Sequence, residues 1–319
     1  MRYRRLGECG LKISELSLGT WQTHNSHNTA GAVQVTRRAY ELGVNLFDTA
    51  NEYQDGAAEE VLGQALAVFP RETYLIASKV FSPVGTKGPL ERGLSRKHIF
   101  AQIDKSLTRL RTDHLDLYQC HRYDPEVPLT ETIMAMNDLI RSGKVLYWGV
   151  SEWTAQHVLS ALELCEKHNW PPPVSNQIHY SALWRTHEDQ TIPTCEKHGI
   201  GILAFSSLAH GVLSGKYTRA SAPPAGTRGA EGETWISRRY LKDDILERVQ
   251  EFRSYAETLG CTSAQLALLW CLRKASVTST IIGSSRAGQL EENVAIGDFE
   301  VTEDDLEKAG EILRPVALT

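Results

Sequence analysis

With 319 residues, 41% hydrophobic and 23% charged, the chain has the make-up of an ordinary water-soluble globular protein. Its net charge of −5 excludes a general nucleic-acid surface, so any anion site is local. The length admits two ordinary domains or one large α/β barrel; nothing resembles an interdomain linker, and 1–319 reads as a single domain.

The start, Met1-Arg-Tyr-Arg-Arg, lacks the apolar run of a signal peptide, and no window approaches a membrane span, so a cytoplasmic protein without membrane insertion is expected. Cys9, Cys120, Cys165, Cys195, Cys261 and Cys271 form no CxxC pair, which points to reduced, mostly packing thiols and to no zinc knuckle.

In chain order, Tyr3 to Leu18 reads as a hairpin around Gly10 followed by a strand, Ile13–Leu18, that ends at Gly19-Thr20-Trp21. The polar loop Thr23–Asn28 leads to a helix over Ala32–Leu42, with Gly43 as its stop. Strand, loop and helix then recur: strand Val44–Phe47, helix Ala57–Val68, strand Thr73–Ala77 ending at Ser78-Lys79, and a helix starting at Ser95–His98 and running to Leu110.

Strand Leu115–Gln119 closes on Cys120-His121, helix Leu129–Ser142 stops at Gly143, and strand Val145–Val150 ends at Ser151-Glu152-Trp153. Helix Ala155–His168, strand Val174–Ile178, helix Asp189–His198 and strand Gly201–Phe205 follow. Thr218–Trp235, rich in Ala, Pro and Gly, reads as a mobile loop; helices Asp244–Leu259 and Ser263–Arg273 precede the last strand, Thr278–Ile282. Eight strands alternating with helices imply right-handed βαβ units, hence a (β/α)8 TIM barrel with an N-terminal hairpin and extra helices and loops at its C-terminal face. No GxGxxG follows a strand, which disfavours an open doubly wound sheet.

In a barrel the strand ends share one mouth, which brings together Asp48, Lys79, His121, Ser151, Gln177 and Ser206. A lysine buried there needs a partner, and Asp48 is the natural one. The ammonium would draw the phenol of Tyr53 down from about 10 toward neutrality, making it a general acid, while His121 would orient a carbonyl through a ring N–H. A plainer reading also stands: Asp48 as a helix cap, Tyr53 as a loop tyrosine and His121 as a polar strand end.

Asp-Thr-Ala-x-x-Tyr at Asp48–Tyr53, Ser78-Lys79 after the third strand and His121 after the fourth resemble the aspartate, tyrosine, lysine and histidine tetrad of the aldo-keto reductases. Within that superfamily the chain is similar to the potassium-channel β-subunit group, through Tyr-Arg-x-Leu-Gly at Tyr3, Glu91–His98, Ser214-Gly215-Lys216-Tyr217 and Trp270-Cys271-Leu272-Arg273. Channel β-subunits of animals carry asparagine in place of His121, and that difference favours a working reductase over a purely regulatory, redox-sensing subunit.

The resemblance implies NADPH/NADP+ extended across the mouth, a small carbonyl substrate and either a monomer or a homo-oligomer. Ser151 and Gln177 would hold the carboxamide and Phe205 would stack on the nicotinamide, beside Gly19, Thr20 and Trp21. Glu152 stands where asparagine is usual. Phosphates would lie on Ser206, Leu208, Gly211, Lys216, Gly283 and Ser285, the adenosine end on Gln289, Glu292 and Asn293. Arg286 near a 2′-phosphate would favour NADP over NAD, with a solvated helix start as the alternative.

Other signals carry less. Gly211–Tyr217 lacks P-loop spacing and its Ser or Thr. His24 and His27 sit in a polar loop that suits substrate contact or solvent better than a metal. Strand alternation separates Cys120 from His121. Trp21, Trp153 and Trp184 are candidates to line the substrate pocket, Trp21 foremost.

Overall fold

Tyr3–Arg5 (β1) and Lys12–Ser14 (β2) pair as an antiparallel hairpin, and Leu16–Gly19 (β3) opens a separate sheet. The computed structural model describes residues 1–85, 88–219, 221–230 and 234–318. The sequence suggests one strand across Ile13–Leu18, but the chain changes sheets at Glu15. That carboxylate is buried and held by the guanidinium groups of Arg2 and Arg4, each at 2.7 Å.

Then come Thr29–Glu41 (α1), Leu46–Asp48 (β4), Ala57–Leu66 (α2), Leu75–Val80 (β5), Arg96–Leu110 (α3), Leu115–Cys120 (β6), Leu129–Arg141 (α4) and Val145–Ser151 (β7). Ala155–His168 (α5), Ser175–His179 (β8), Thr191–Lys197 (α6) and Gly201–Phe205 (β9) complete the regular alternation. Thr234–Arg239 (α7), Asp243–Thr258 (α8) and Ser263–Leu272 (α9) precede Val277–Ile282 (β10), and Ala287–Val294 (α10) and Glu303–Leu313 (α11) end the described chain. Strands β3 to β10 close a barrel of eight, every neighbour parallel, with β10 joined to β3.

Several boundaries differ from the sequence reading, by one to three residues. Glu72 and Thr73 are taken into a 3-10 turn, which pushes β5 later and brings Ser78 and Lys79 inside the strand. Helix α1 begins three residues before Ala32, at Thr29. Thr234 and Trp235, read as loop, belong to the backbone of α7; Ala220 and Glu231–Glu233 of that stretch lie outside the described residues.

The hairpin plugs the N-terminal end of the barrel: Leu6 and Ile13 pack on Leu46, Ala77, Leu117, Leu203 and Ile281, which point into the barrel. The fit depends on bare backbone, since a Cβ on Gly201 would come within 2.6 Å of the Gly7 nitrogen. The main core lies between strands and helices. Helix α9, Ser-Ala-Gln-Leu-Ala-Leu-Leu-Trp-Cys-Leu, is buried on every side, as a helix apolar all round must be. A Thr262–Gln265 capping box starts it.

Candidate active site

With one end plugged, the strand ends that remain open are the C-terminal ones, and there the barrel concentrates buried polarity. Asp48 closes β4, Lys79 stands one residue from the end of β5, and Tyr53 opens a 3-10 turn after β4. The Lys79 side chain is wholly buried, and its three protons meet three acceptors: Asp48 Oδ2 at 2.7 Å, the Thr49 carbonyl at 2.7 Å and the Tyr53 hydroxyl at 3.1 Å. The other Asp48 oxygen accepts from Gln177 Nε2 at 2.7 Å. A charge so enclosed is tolerable because every proton and the counter-charge are matched.

Burial by itself would strip the proton from Lys79, but Asp48 and then Tyr53 outweigh it and the ammonium is held above its usual pKa. For Tyr53 the balance falls the other way from the sequence expectation. Burial dominates the pull of Lys79 and lifts the phenol to about 12. At neutral pH the hydroxyl therefore keeps its proton, beside a cation that steadies the phenolate should the proton leave.

His121, the first residue after β6, sits edge-on to Tyr53 with ring centroids 5.8 Å apart. Its Nδ1 lies 3.0 Å and 3.3 Å from the two oxygens of Glu52. Burial keeps the imidazole pKa below its usual value against the pull of that carboxylate, so the ring is neutral at pH 7. Burial would raise Glu52, but the hydrogen bond from His121 leads the influences, the Lys79 charge among them, that bring it below its usual value.

Asp48, Tyr53 and His121 open onto a cavity of about 880 Å³ at this face. Gly19, Trp21, Ser151, Gln177 and Phe205 line it, as do Ser206, Leu208, Gly211 and Lys216 after β9. Gly283, Ser285, Gln289, Glu292 and Asn293, after β10 and in α10, complete the predicted set at its wall. Lys79 and Thr20 lie beneath the surface, fully buried. Ser206, Ala209 and His210 all adopt left-handed backbone, at φ 57°, 46° and 58°. Such strain gathers where backbone is shaped for a ligand.

Residues 15–314 match the sequence model of the Aldo/keto reductase family. The chain belongs to that family. Its members are NAD(P)H-dependent oxidoreductases that act on small carbonyl compounds. Three relatives bear the names of channel subunits. A probable voltage-gated potassium channel subunit beta of Arabidopsis thaliana is 38% identical, covering 93% of this chain and 92% of that one. A putative voltage-gated potassium channel subunit beta of Schizosaccharomyces pombe is 37% identical over 98% and 93%, and a probable one of Oryza sativa 37% over 92% and 90%.

In this aldo/keto reductase, the Ser151 hydroxyl is buried at the cavity wall with no hydrogen-bond partner among the described residues, so it is open to a polar ligand. Gln177 spends its amide nitrogen on Asp48 and has its carbonyl oxygen to offer. The cavity thus fits a nicotinamide cofactor. Among the described residues three cations line it, Lys216, Arg122 and Arg228.

Arg286 does not: it is an exposed N-cap in extended conformation. The Arg228 guanidinium lies 6.0 Å over the Trp21 ring and 3.9 Å from where a Gly283 Cβ would be. No local signal separates Arg228 from the rest of its Pro- and Gly-rich stretch. Glu52, Gln54, Gln22 and Thr23 also line the cavity unforeseen, and His210 joins them from the loop after β9; of the unforeseen four only Glu52 had a signal, its place next to Tyr53.

Trp153 and Trp184 do not line the cavity. The first is buried edge-on to Tyr123, and the second stacks at 4.4 Å on His179. His24 is neither solvated nor at the mouth: it is fully buried, with Nε2 2.7 Å from Thr36 Oγ1 and Nδ1 3.0 Å from Thr23 Oγ1. Cys120 is buried apart from the cavity, its thiol pushed far up by burial. No group of three metal-ligating side chains occurs among the described residues, and no helix among them is long and apolar enough to cross a membrane.

Proposed function

We propose that the protein is an NADPH-dependent reductase converting aldehydes or ketones to alcohols, with Tyr53 as general acid. The observation that carries this reading is the Tyr53 hydroxyl, still protonated at neutral pH, hydrogen-bonded to a lysine locked by Asp48 at the cavity wall. Bound nicotinamide would supply the hydride to the carbonyl carbon. Tyr53 gives its proton to the carbonyl oxygen, and Lys79 stabilises the phenolate left behind. Asp48 holds Lys79, and Gln177 holds Asp48.

Ser151 and Gln177 present a hydroxyl and a carbonyl oxygen suited to a primary carboxamide, and Phe205 offers a flat face beside them. Lys216 and Arg228 supply the positive charge that phosphates require on an acidic protein, which supports NADPH over NADH. Replacement Arg228→Ala is expected to weaken NADPH about tenfold or more, the worth of one charged hydrogen bond, while leaving NADH nearly unchanged; fluorescence titration reads both.

NADPH oxidation followed in the near ultraviolet against aldehydes, dicarbonyls and ketones tests the whole reading. Wild type should turn over on part of the panel, and Tyr53→Phe should lose about 100- to 10,000-fold in rate with cofactor affinity intact. A Tyr53→Phe protein with most of its activity would sink the assignment. The names of the three relatives favour a second reading, a channel-associated subunit that uses bound NADP(H) as a redox signal. Tight NADPH binding without oxidation on any carbonyl would move the conclusion there.

A further inference from the structure

His121 meets the cavity with one ring nitrogen already engaged. Nδ1 faces both oxygens of Glu52, at 3.0 Å and 3.3 Å, and among the described residues the ring's side-chain hydrogen bonding runs through that nitrogen alone. An ionised carboxylate can only accept, so the proton of this contact belongs to Nδ1. A neutral imidazole has one N–H, and Nε2 is then left with a lone pair.

We propose that Glu52 is a positioning residue that fixes the His121 proton on Nδ1, so that Nε2 meets the cavity as an acceptor suited to an alcohol hydroxyl. It becomes a donor to a carbonyl oxygen only when the ring takes a second proton. This builds on the reductase reading above and corrects the role expected for His121, because a neutral ring held in this way has no second N–H to offer. At neutral pH the hydrogen bond to a carbonyl then falls to Tyr53 alone, while the product alcohol donates one to Nε2. The charged and titratable groups around the ring are Glu52 and Tyr53 from the loop after β4, Lys79 from β5 and Arg122 from the chain after β6. Lys79 and Arg122 oppose the second proton, and Glu52 favours it.

Nuclear magnetic resonance of the full chain labelled with 15N-histidine tests this without turnover, the His121 signals being assigned by their loss in His121→Asn. Wild type should show Nδ1 protonated at neutral pH. Glu52→Gln, whose amide oxygen still accepts from Nδ1, should keep that tautomer but take its second proton about one pH unit lower or more, having lost the opposite charge. Glu52→Leu should release the proton and let the Nε2–H form appear; if it fails to fold, the Glu52→Gln titration decides. A wild-type ring protonated on Nε2, or a Glu52→Gln ring titrating like wild type, would overturn the proposal. In parallel, kcat/KM for carbonyl reduction should rise as pH falls through the ring's titration, and Glu52→Gln should move that rise down by the same interval. A rise that stays in place in Glu52→Gln overturns the role. The expected tautomers in a protein that oxidises no NADPH would leave Glu52 as assigned and sink the reductase reading instead.

Discussion

Lys79 and Tyr53 touch each other, yet their loss should be felt in different ways. Removing the ammonium in Lys79→Met leaves Asp48 buried beside Gln177 with its counter-charge gone, which is expected to cost about 3–5 kcal/mol in urea unfolding. Tyr53→Phe takes one of three acceptors from the buried ammonium and should cost about 1–3 kcal/mol, less than Lys79→Met, while lowering turnover about 100- to 10,000-fold. Asp48, Lys79 and His121 were legible because each is a polar side chain at the end of an apolar run, and Tyr53 through the Asp-Thr-Ala-x-x-Tyr motif that follows the second such run. The direction of the Tyr53 shift was not, because the neighbouring cation is written in the sequence and the depth of burial is not. Glu52 was missed for a related reason: its partner His121 lies 69 positions away, and only closure of the barrel brings them together.

At the level of elements, alternation of apolar runs with helical periods gave the eight-stranded barrel in the right order, while boundaries shifted where one element hands over to the next and the helices α7, α10 and α11 went unassigned. Glu15 ends one strand and starts another through its two arginines, contacts no local pattern encodes. Helix α7 begins at the end of a stretch whose composition speaks of turns, and at six residues it is too short for a helical period to show. The hairpin depends on distant partners. Leu6→Ala is expected to cost about 2–5 kcal/mol, because the plug cannot collapse into the void without losing its seat on Gly201; thermal unfolding would measure it. Between helices, a Cβ on Gly63 would meet the Leu110 carbonyl at 2.6 Å, so Gly63→Ala should force α2 from α3 and cost about 1–3 kcal/mol, despite alanine's better helix propensity.

For the whole molecule, buried histidines tie stability to pH. Burial lowers His24 and His179 to about 4 in the folded state, against a usual value near 6.5. Between those values the unfolded chain binds more protons, so the stabilisation is complete above about pH 6.5 and is lost as pH falls toward 4. Each of these two rings contributes on the order of 3 kcal/mol, and urea unfolding across this range should show the slope, with His24→Gln removing roughly 3 kcal/mol of the change.

The plugged floor has a bearing on traffic. A barrel stoppered by Leu6 and Ile13 gives its reactants no back door, so hydride donor and carbonyl must pass through the same mouth. Whichever lies deeper has to arrive first and depart last, and turnover becomes a queue through a single door.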